Sequence, residues 1–262
     1  MSDLAVHVLD GGTLDVPRQA IYHHGGPESL VIPVPSFLIR HPKGDIVFEG
    51  GNPRELAEDA RGYWGDLVDA VTPDMGVSQH VRSQVEALDV DPADIRYVLH
   101  SHLHMDHTGA IGHFPNASEV VHRQELAYAY APDWFSDFVY KRPDFDREGI
   151  NWEFVDLTEE APEFDVYGDG VVKLVFTPGH SVGHMSLVVE LENQPLVIAG
   201  DAIDAKPHYE EEVMPGWYLD GPANVRSVHR LKRYEENLGA FTIFGHDLEQ
   251  YATLRTGADA YT

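Results

Sequence analysis

His100-Ser101-His102-Leu103-His104-Met105-Asp106-His107 places four histidines and an aspartate in eight residues. Its core is the pattern H-x-H-x-D-H, running from His102 to His107. Imidazole and carboxylate donors at this density suit borderline divalent metals such as zinc, with no thiol required. In an extended loop alternate side chains face the same way, so His102 and His104 can grip one ion together. Asp106 and His107 come where the chain turns toward a helix, and they can face a neighbouring position. One short loop thereby offers donors to two ions. The competing reading is a chance cluster or a surface metal-scavenging tract, since the chain has 16 histidines. Such tracts are repetitive and polar. This one follows the apolar, strand-like run Ile95-Arg96-Tyr97-Val98-Leu99 and precedes Thr108-Gly109.

Working outward, three more donors occur in a shared setting. His180 follows the β-rich run 171–176 within Thr177-Pro178-Gly179-His180. Asp201 closes the apolar run 195–200, and His246 follows Phe241-Thr242-Ile243-Phe244-Gly245. Each stands at the C-terminal end of an expected strand, beside a glycine that lets the backbone turn sharply. A rigid sheet is a good support for ligands that must be held in advance. Any one of these residues alone would read as structural; their recurrence in one setting points to a site.

These segments, together with Pro33 to Ile39, His41-Pro42-Lys43-Gly44, Val47 to Pro53 and Gly245-His246-Asp247, resemble the metallo-β-lactamase superfamily. The likeness runs from about residue 30 to residue 250, and within the superfamily it is nearest the N-acyl-homoserine lactonase group. The resemblance implies a four-layer αββα sandwich, an α/β fold, and two metal sites. His102, His104 and His180 would bind the first ion, Asp106, His107 and His246 the second, and Asp201 would bridge both together with a hydroxide. Two Zn2+ ions are the expected cofactors, although the same donors accept iron or manganese. His100, His113, His122, His184 and His208 are read as structural or surface residues, with His184 near enough to His180 to support it. One position departs from the lactonase pattern. A tyrosine commonly follows the bridging aspartate by three residues, and here Asp204 stands there. Tyr209, from the same loop, is the expected substitute and Tyr218 the alternative; Asp106, Asp201 and Tyr209 are the expected catalytic residues.

Composition bounds the remaining choices. A chain of 262 residues with 43% hydrophobic residues can bury one large α/β core. The whole chain reads as a single domain, 1–262, with an insertion at about 131–150. No apolar stretch approaches the length of a membrane span. The N-terminus lacks a basic flank and an apolar signal core, so a cytoplasmic location is expected. Cysteine is absent, leaving only His and carboxylate as strong metal donors. Forty-four acidic against 18 basic residues give a formal charge of −26. Acidic residues spread along the whole chain suit a halophilic protein, whose surface repulsion molar salt screens, better than an ordinary acidic one. Either surface repels nucleic-acid phosphates and anionic lipid, so neither is expected as a partner. The oligomeric state stays open, a homodimer included.

Periodicity predicts strands over 4–9, 31–39, 45–49, 96–100, 117–121, 152–156, 171–176, 185–191, 195–200 and 241–244. Helices are expected over 78–88, 123–130 and 223–238. Segment 131–150, with Trp134, Phe135, Phe138, Tyr140 and Phe145, has no clean period and reads equally as core packing or as a substrate-pocket wall. The expected chemistry is hydrolysis of a lactone, a small-molecule substrate, by a metal-bridging hydroxide, with Asp106 passing a proton to the departing alkoxide. A thioesterase of glyoxalase II type, a phosphodiesterase and a non-catalytic metal-binding scaffold are the alternatives. No Lys/Arg cluster suited to glutathione lies near the end of the chain, and the acidic surface disfavours a phosphodiester.

Overall fold

The computed structural model describes residues 4–262. Its strands are β1 (Ala5–Leu9), β2 (Thr13–Pro17), β3 (Ser29–Pro33), β4 (Ser36–Arg40), β5 (Asp45–Phe48), β6 (Thr72–Asp74) and β7 (Ile95–Leu99) in the first half. There follow β8 (Ser118–His122), β9 (Trp152–Val155), β10 (Glu163–Asp165), β11 (Val172–Phe176), β12 (Met185–Val189), β13 (Leu196–Ile198) and β14 (Phe241–Ile243). The helices are α1 (Arg18–Ile21), α2 (Glu55–Trp64), α3 (Val81–Ala87), α4 (Arg123–Tyr130), α5 (Arg142–Phe145), α6 (Lys206–Glu210), α7 (Gly221–Leu238) and α8 (Leu248–Tyr251).

Period-two alternation builds two large sheets. One is six-stranded, in the order β1-β4-β5-β7-β8-β9, and the other five-stranded, β10-β11-β12-β13-β14. Ile46 and Phe48 of β5 join a core shared with Leu174, Leu187 and Ile198 of the opposite sheet. Val47, between them, packs on the other face with Val81 and Val85 of α3. Likewise Val188 and Val197 turn away from the shared core to meet Val228 and Leu231 of α7. The layers are therefore helix, sheet, sheet, helix: the αββα sandwich. Parallel pairing of β5 with β7, β7 with β8, and β13 with β14 lines up their C-terminal ends. Every loop that carries a candidate ligand leaves from that edge.

The run 31–39, expected as one strand, is two strands in different sheets. β3 pairs with β2 in a small sheet β3-β2-β6, and β4 pairs with β1 and β5. The break falls at Val34 and Pro35, where a proline has no N–H to continue the ladder. The small sheet, α1 and α2 lacked a sequence signal strong enough to predict them. α4 spans the expected residues, and Asp220 caps α7 by accepting from Ala223 N at 2.9 Å.

Candidate metal centre

Seven side chains converge at the C-terminal edges of the two sheets. His102, His104, His180 and Asp201 form one donor group, and Asp106, His107 and His246 form another, the donor atoms within each lying within 4.8 Å of one another. Asp201 joins the two through its two oxygens. Its Oδ2 is 3.3 Å from His180 Nε2 and 3.8 Å from His102 Nε2. Its Oδ1 is 3.3 Å from both His107 Nε2 and His246 Nε2, and His246 Nε2 is also 3.3 Å from Oδ2. Asp106 closes the second group, Oδ2 at 3.8 Å from His246 Nε2 and Oδ1 at 3.7 Å from His107 Nε2. His180 Nε2 and His104 Nδ1 approach to 2.9 Å.

The rings are aimed by partners behind them. His107 donates from Nδ1 to Glu49 Oε2 at 2.7 Å, and His246 from Nδ1 to the Pro33 carbonyl at 2.9 Å. Each bond holds a proton on Nδ1 and turns Nε2 toward Asp201, so Nε2 is the nitrogen a metal would take. His102 Nε2, His104 Nε2, His107 Nε2 and Asp201 Oδ1 are buried without a hydrogen-bond partner. Buried polar atoms are rarely left so, and a divalent cation is a partner that imidazole nitrogen and carboxylate oxygen both accept. The donor set fits two ions.

His184 is not part of the cluster, but it holds the backbone of Asp201. Ser186 Oγ donates to Ala199 O at 2.7 Å, so it accepts from Thr177 Oγ1 at 2.8 Å. Thr177 Oγ1 must then accept from His184 Nδ1, leaving His184 Nε2 to accept the Asp201 N–H at 3.1 Å. Gly200 lies between the two, in the left-handed region at φ 54°, where a Cβ would fall 2.9 Å from His184 Nε2.

Electrostatics separate the two groups. Burial holds His102 and His104 well below the usual imidazole range and His180 at about 3, so these rings are neutral donors. For His246 burial works against charge, but the Asp201 carboxylate outweighs it and lifts the ring to about 10. His107 is raised the same way, against burial, by Asp201 and Glu49. Burial and then the Asp201 charge push Asp204 well above the usual carboxyl range, favouring its protonated form.

A cavity of about 490 Å³ opens onto the cluster. Asp106, His180, Asp201, Asp204 and His246 line its floor, and Val16, Ile32, Phe138 and Trp217 are among its apolar walls. A larger hollow of about 730 Å³ lies elsewhere, lined by Lys206, Tyr209 and Glu235, and contains none of the seven donors. Tyr209, the expected substitute for the missing tyrosine, belongs to that hollow. Its hydroxyl donates to Glu235, and its ring packs on Phe244. α6 carries Tyr209 on the side away from the cavity, a direction that spacing from Asp201 did not reveal. Tyr218 does not line the cavity either and lies against His23 at 6.1 Å between ring centroids.

Segment 131–150 follows its expected roles only in part, since Trp134 and Phe135 are exposed and lie in neither the core nor the cavity wall. Tyr140 and Phe145 are core, whereas Phe138 and Val139 face the cavity. Met105 N donates to Val139 O at 2.9 Å, and Thr108 Oγ1 to Asp144 at 2.5 Å, pinning the segment to the ligand loop. The remaining histidines stand apart from the cluster: His100 pairs with Glu119 at 2.8 Å, and His122 accepts from Gln124 N at the start of α4. Glu49, the partner of His107, lies in the stretch 47–53 that carries the resemblance, where nothing local singles it out. Its left-handed φ of 63°, rare for a non-glycine residue, is the mark of its special placement.

Residues 29–246 match the model of the metallo-β-lactamase superfamily. The chain belongs to that superfamily. Among metallo-β-lactamase relatives, it is 43% identical to N-acyl homoserine lactonase AttM of Rhizobium radiobacter, with 100% of both chains covered. It is equally 43% identical to N-acyl homoserine lactonase AttM of Agrobacterium fabrum, again over 100% of both. Among solved metallo-β-lactamase folds, it superposes with a TM-score of 0.87, at 25% identity and 100% coverage of both chains, on an N-acyl homoserine lactone hydrolase. That structure holds the product N-hexanoyl-L-homoserine at its catalytic metal centre. Like those enzymes, the chain is a metal-dependent hydrolase.

Proposed function

We propose that this hydrolase opens the ring of N-acyl-homoserine lactones, using two divalent ions held by His102, His104 and His180 on one side and Asp106, His107 and His246 on the other. The observation that carries this reading is the place of the Asp201 carboxylate between the two donor groups, 3.3 Å from His180 Nε2 on one side and 3.3 Å from His107 Nε2 and His246 Nε2 on the other. Bound there, the ions would supply a Lewis acid for an ester carbonyl and a water acidic enough to attack it near neutral pH. Zinc is the expected ion, and the same imidazole and carboxylate donors accept iron or manganese.

The protein's own groups do the rest. Water adds to the lactone carbonyl carbon, the ring C–O bond breaks, and the departing oxygen takes a proton to become the homoserine hydroxyl. Asp106 Oδ atoms lie at the cavity floor with 15% of the side chain exposed, placed to carry that proton. Asp204 lines the same cavity, at the position where the lactonase pattern has a tyrosine, and is better placed than Tyr209 to meet the substrate there. Val16, Ile32, Phe138 and Trp217 offer apolar surface to an acyl chain, each buried methylene contributing about 0.8 kcal/mol. A neutral lactone also escapes the repulsion that a chain of formal charge −26 would exert on an anionic substrate. The consequence of the reaction is quorum quenching, in the cytoplasm, where the acyl-homoserine signal loses its ring.

Two measurements test this. Elemental analysis of protein prepared without chelator should find close to two ions per chain, chiefly zinc. A rate panel of short- and long-chain acyl-homoserine lactones, simple γ- and δ-lactones, a thioester and a phosphodiester should favour the acyl-homoserine lactones. A thioester or phosphodiester turned over orders of magnitude faster than every lactone would replace this reading with one of those activities.

A further inference from the structure

We propose that Glu125 positions the first metal group, clamping its two ligand loops to each other without being a ligand itself. The inference rests on reading His102, His104 and His180 as one ion's site. Glu125 stands on α4, is fully buried, and accepts four hydrogen bonds. Its Oε1 accepts from Leu103 N at 3.2 Å and from the Tyr140 hydroxyl at 3.2 Å. Its Oε2 accepts from Ser181 Oγ at 2.7 Å and from Gly183 N at 2.9 Å.

The origin of the four donors gives the carboxylate its meaning. Leu103 is the residue between His102 and His104, and Ser181 directly follows His180. Tyr140 packs its ring edge-on against His104, 4.8 Å between centroids. One side chain thus ties the ligand loop after β7 to the ligand loop after β11, across the two sheets, and adds the residue that braces His104. Gly183 makes the approach possible, since a Cβ there would fall 2.7 Å from Glu125 Cβ and 2.8 Å from its backbone nitrogen. The second group has different supports, Glu49 behind His107 and the Pro33 carbonyl behind His246. Glu125 touches neither.

A carboxylate is needed because all four partners are donors. Glu125→Gln keeps the shape but turns an NH2 toward two of them, leaving buried N–H or O–H groups unsatisfied. The test titrates metal-free, full-length protein with Zn2+ against a chromophoric chelator, alongside the thermal melt of the metal-free protein. Wild type should take two equivalents; if it takes one, the two-ion reading beneath this proposal fails first. Glu125→Gln should weaken one equivalent by about 10- to 100-fold, the usual effect of losing a group that orients ligands, and leave the other within about threefold. In a His246→Ala background the same change should weaken the remaining equivalent, and in a His102→Ala background it should not. Equal loss at both equivalents, or no loss in a folded variant, would overturn the proposal. Should Glu125→Gln fail to fold, Tyr140→Phe combined with Ser181→Ala removes two donors with the carboxylate retained, and the same selective weakening is required of it.

Discussion

The two halves of the molecule deliver their candidate metal donors in opposite ways. The first half supplies His102, His104, Asp106 and His107 from one loop after β7. The second half supplies His180, Asp201 and His246 one at a time, after β11, β13 and β14. In the first half local backbone geometry sets ligand spacing, so the motif is dense and self-contained. In the second half the sheet sets it: β12 pairs with both β11 and β13, and β13 with β14, and a slip in any ladder would misplace a ligand. Both sets are braced from behind, His107 by Glu49 and His246 by the Pro33 carbonyl, but the dispersed residues depend on strand register as well.

The most severe way to break this contrast is at the residue both halves share. Asp201→Ala should remove activity by about a thousandfold or more, since a carboxylate that offsets the repulsion of two cations is worth several kcal/mol, and metal content should fall at both positions. Full metal content with an unchanged rate would show that Asp201 is no bridge.

Next come the braces. Glu49→Gln should weaken the second equivalent of metal about 10- to 100-fold while the first is kept, read by the same chelator competition. His184→Ala should lower occupancy of both, because it frees the Asp201 backbone rather than any single ring; occupancy unchanged at both positions would reduce His184 to packing. These two variants sharpen the comparison by separating support of a ring from support of the bridge.

A global effect should follow from charge. Relieving repulsion among groups that sum to −26 should raise Tm between dilute buffer and molar KCl, by about 2–4 °C for each kcal/mol relieved. A flat melting curve would mark an ordinary acidic protein. Smallest at the site should be His122→Ala. It loses the cap on Gln124 N and the stacking on Phe176, 4.9 Å between centroids, so stability should fall by about 1 kcal/mol. Both metal equivalents should remain, and loss of either would place His122 in the centre's support.

Much of this centre was legible without coordinates, and unevenly so. The strands over 45–49 and 171–176 and the helix at 123–130 carried clear periods, and the dense ligand motif needed no fold to be noticed. The run 31–39 read as one strand because both its parts are apolar, and the sheet change at Val34 and Pro35 has no periodic signal. Tyr209 was misplaced for a related reason. Five residues cover the distance from Asp204, but only the direction of α6 decides which cavity the hydroxyl meets. Glu125 gave no signal, since one glutamate on an amphipathic helix ordinarily faces water.

The sequence by itself determined the donor chemistry, the α/β class and the seven candidate donor positions, because donor type, hydrophobic period and strand-end placement are local properties, while the αββα layering came from the family resemblance. Only the tertiary structure decided that the Asp201 carboxylate lies between two donor groups, that Glu49, His184 and Glu125 stand behind the donors, and that Tyr209 turns away. Those facts depend on which distant segments meet and on which side chains lose their water, and burial turns an ordinary carboxylate or imidazole into a support that must find its hydrogen bonds inside the protein.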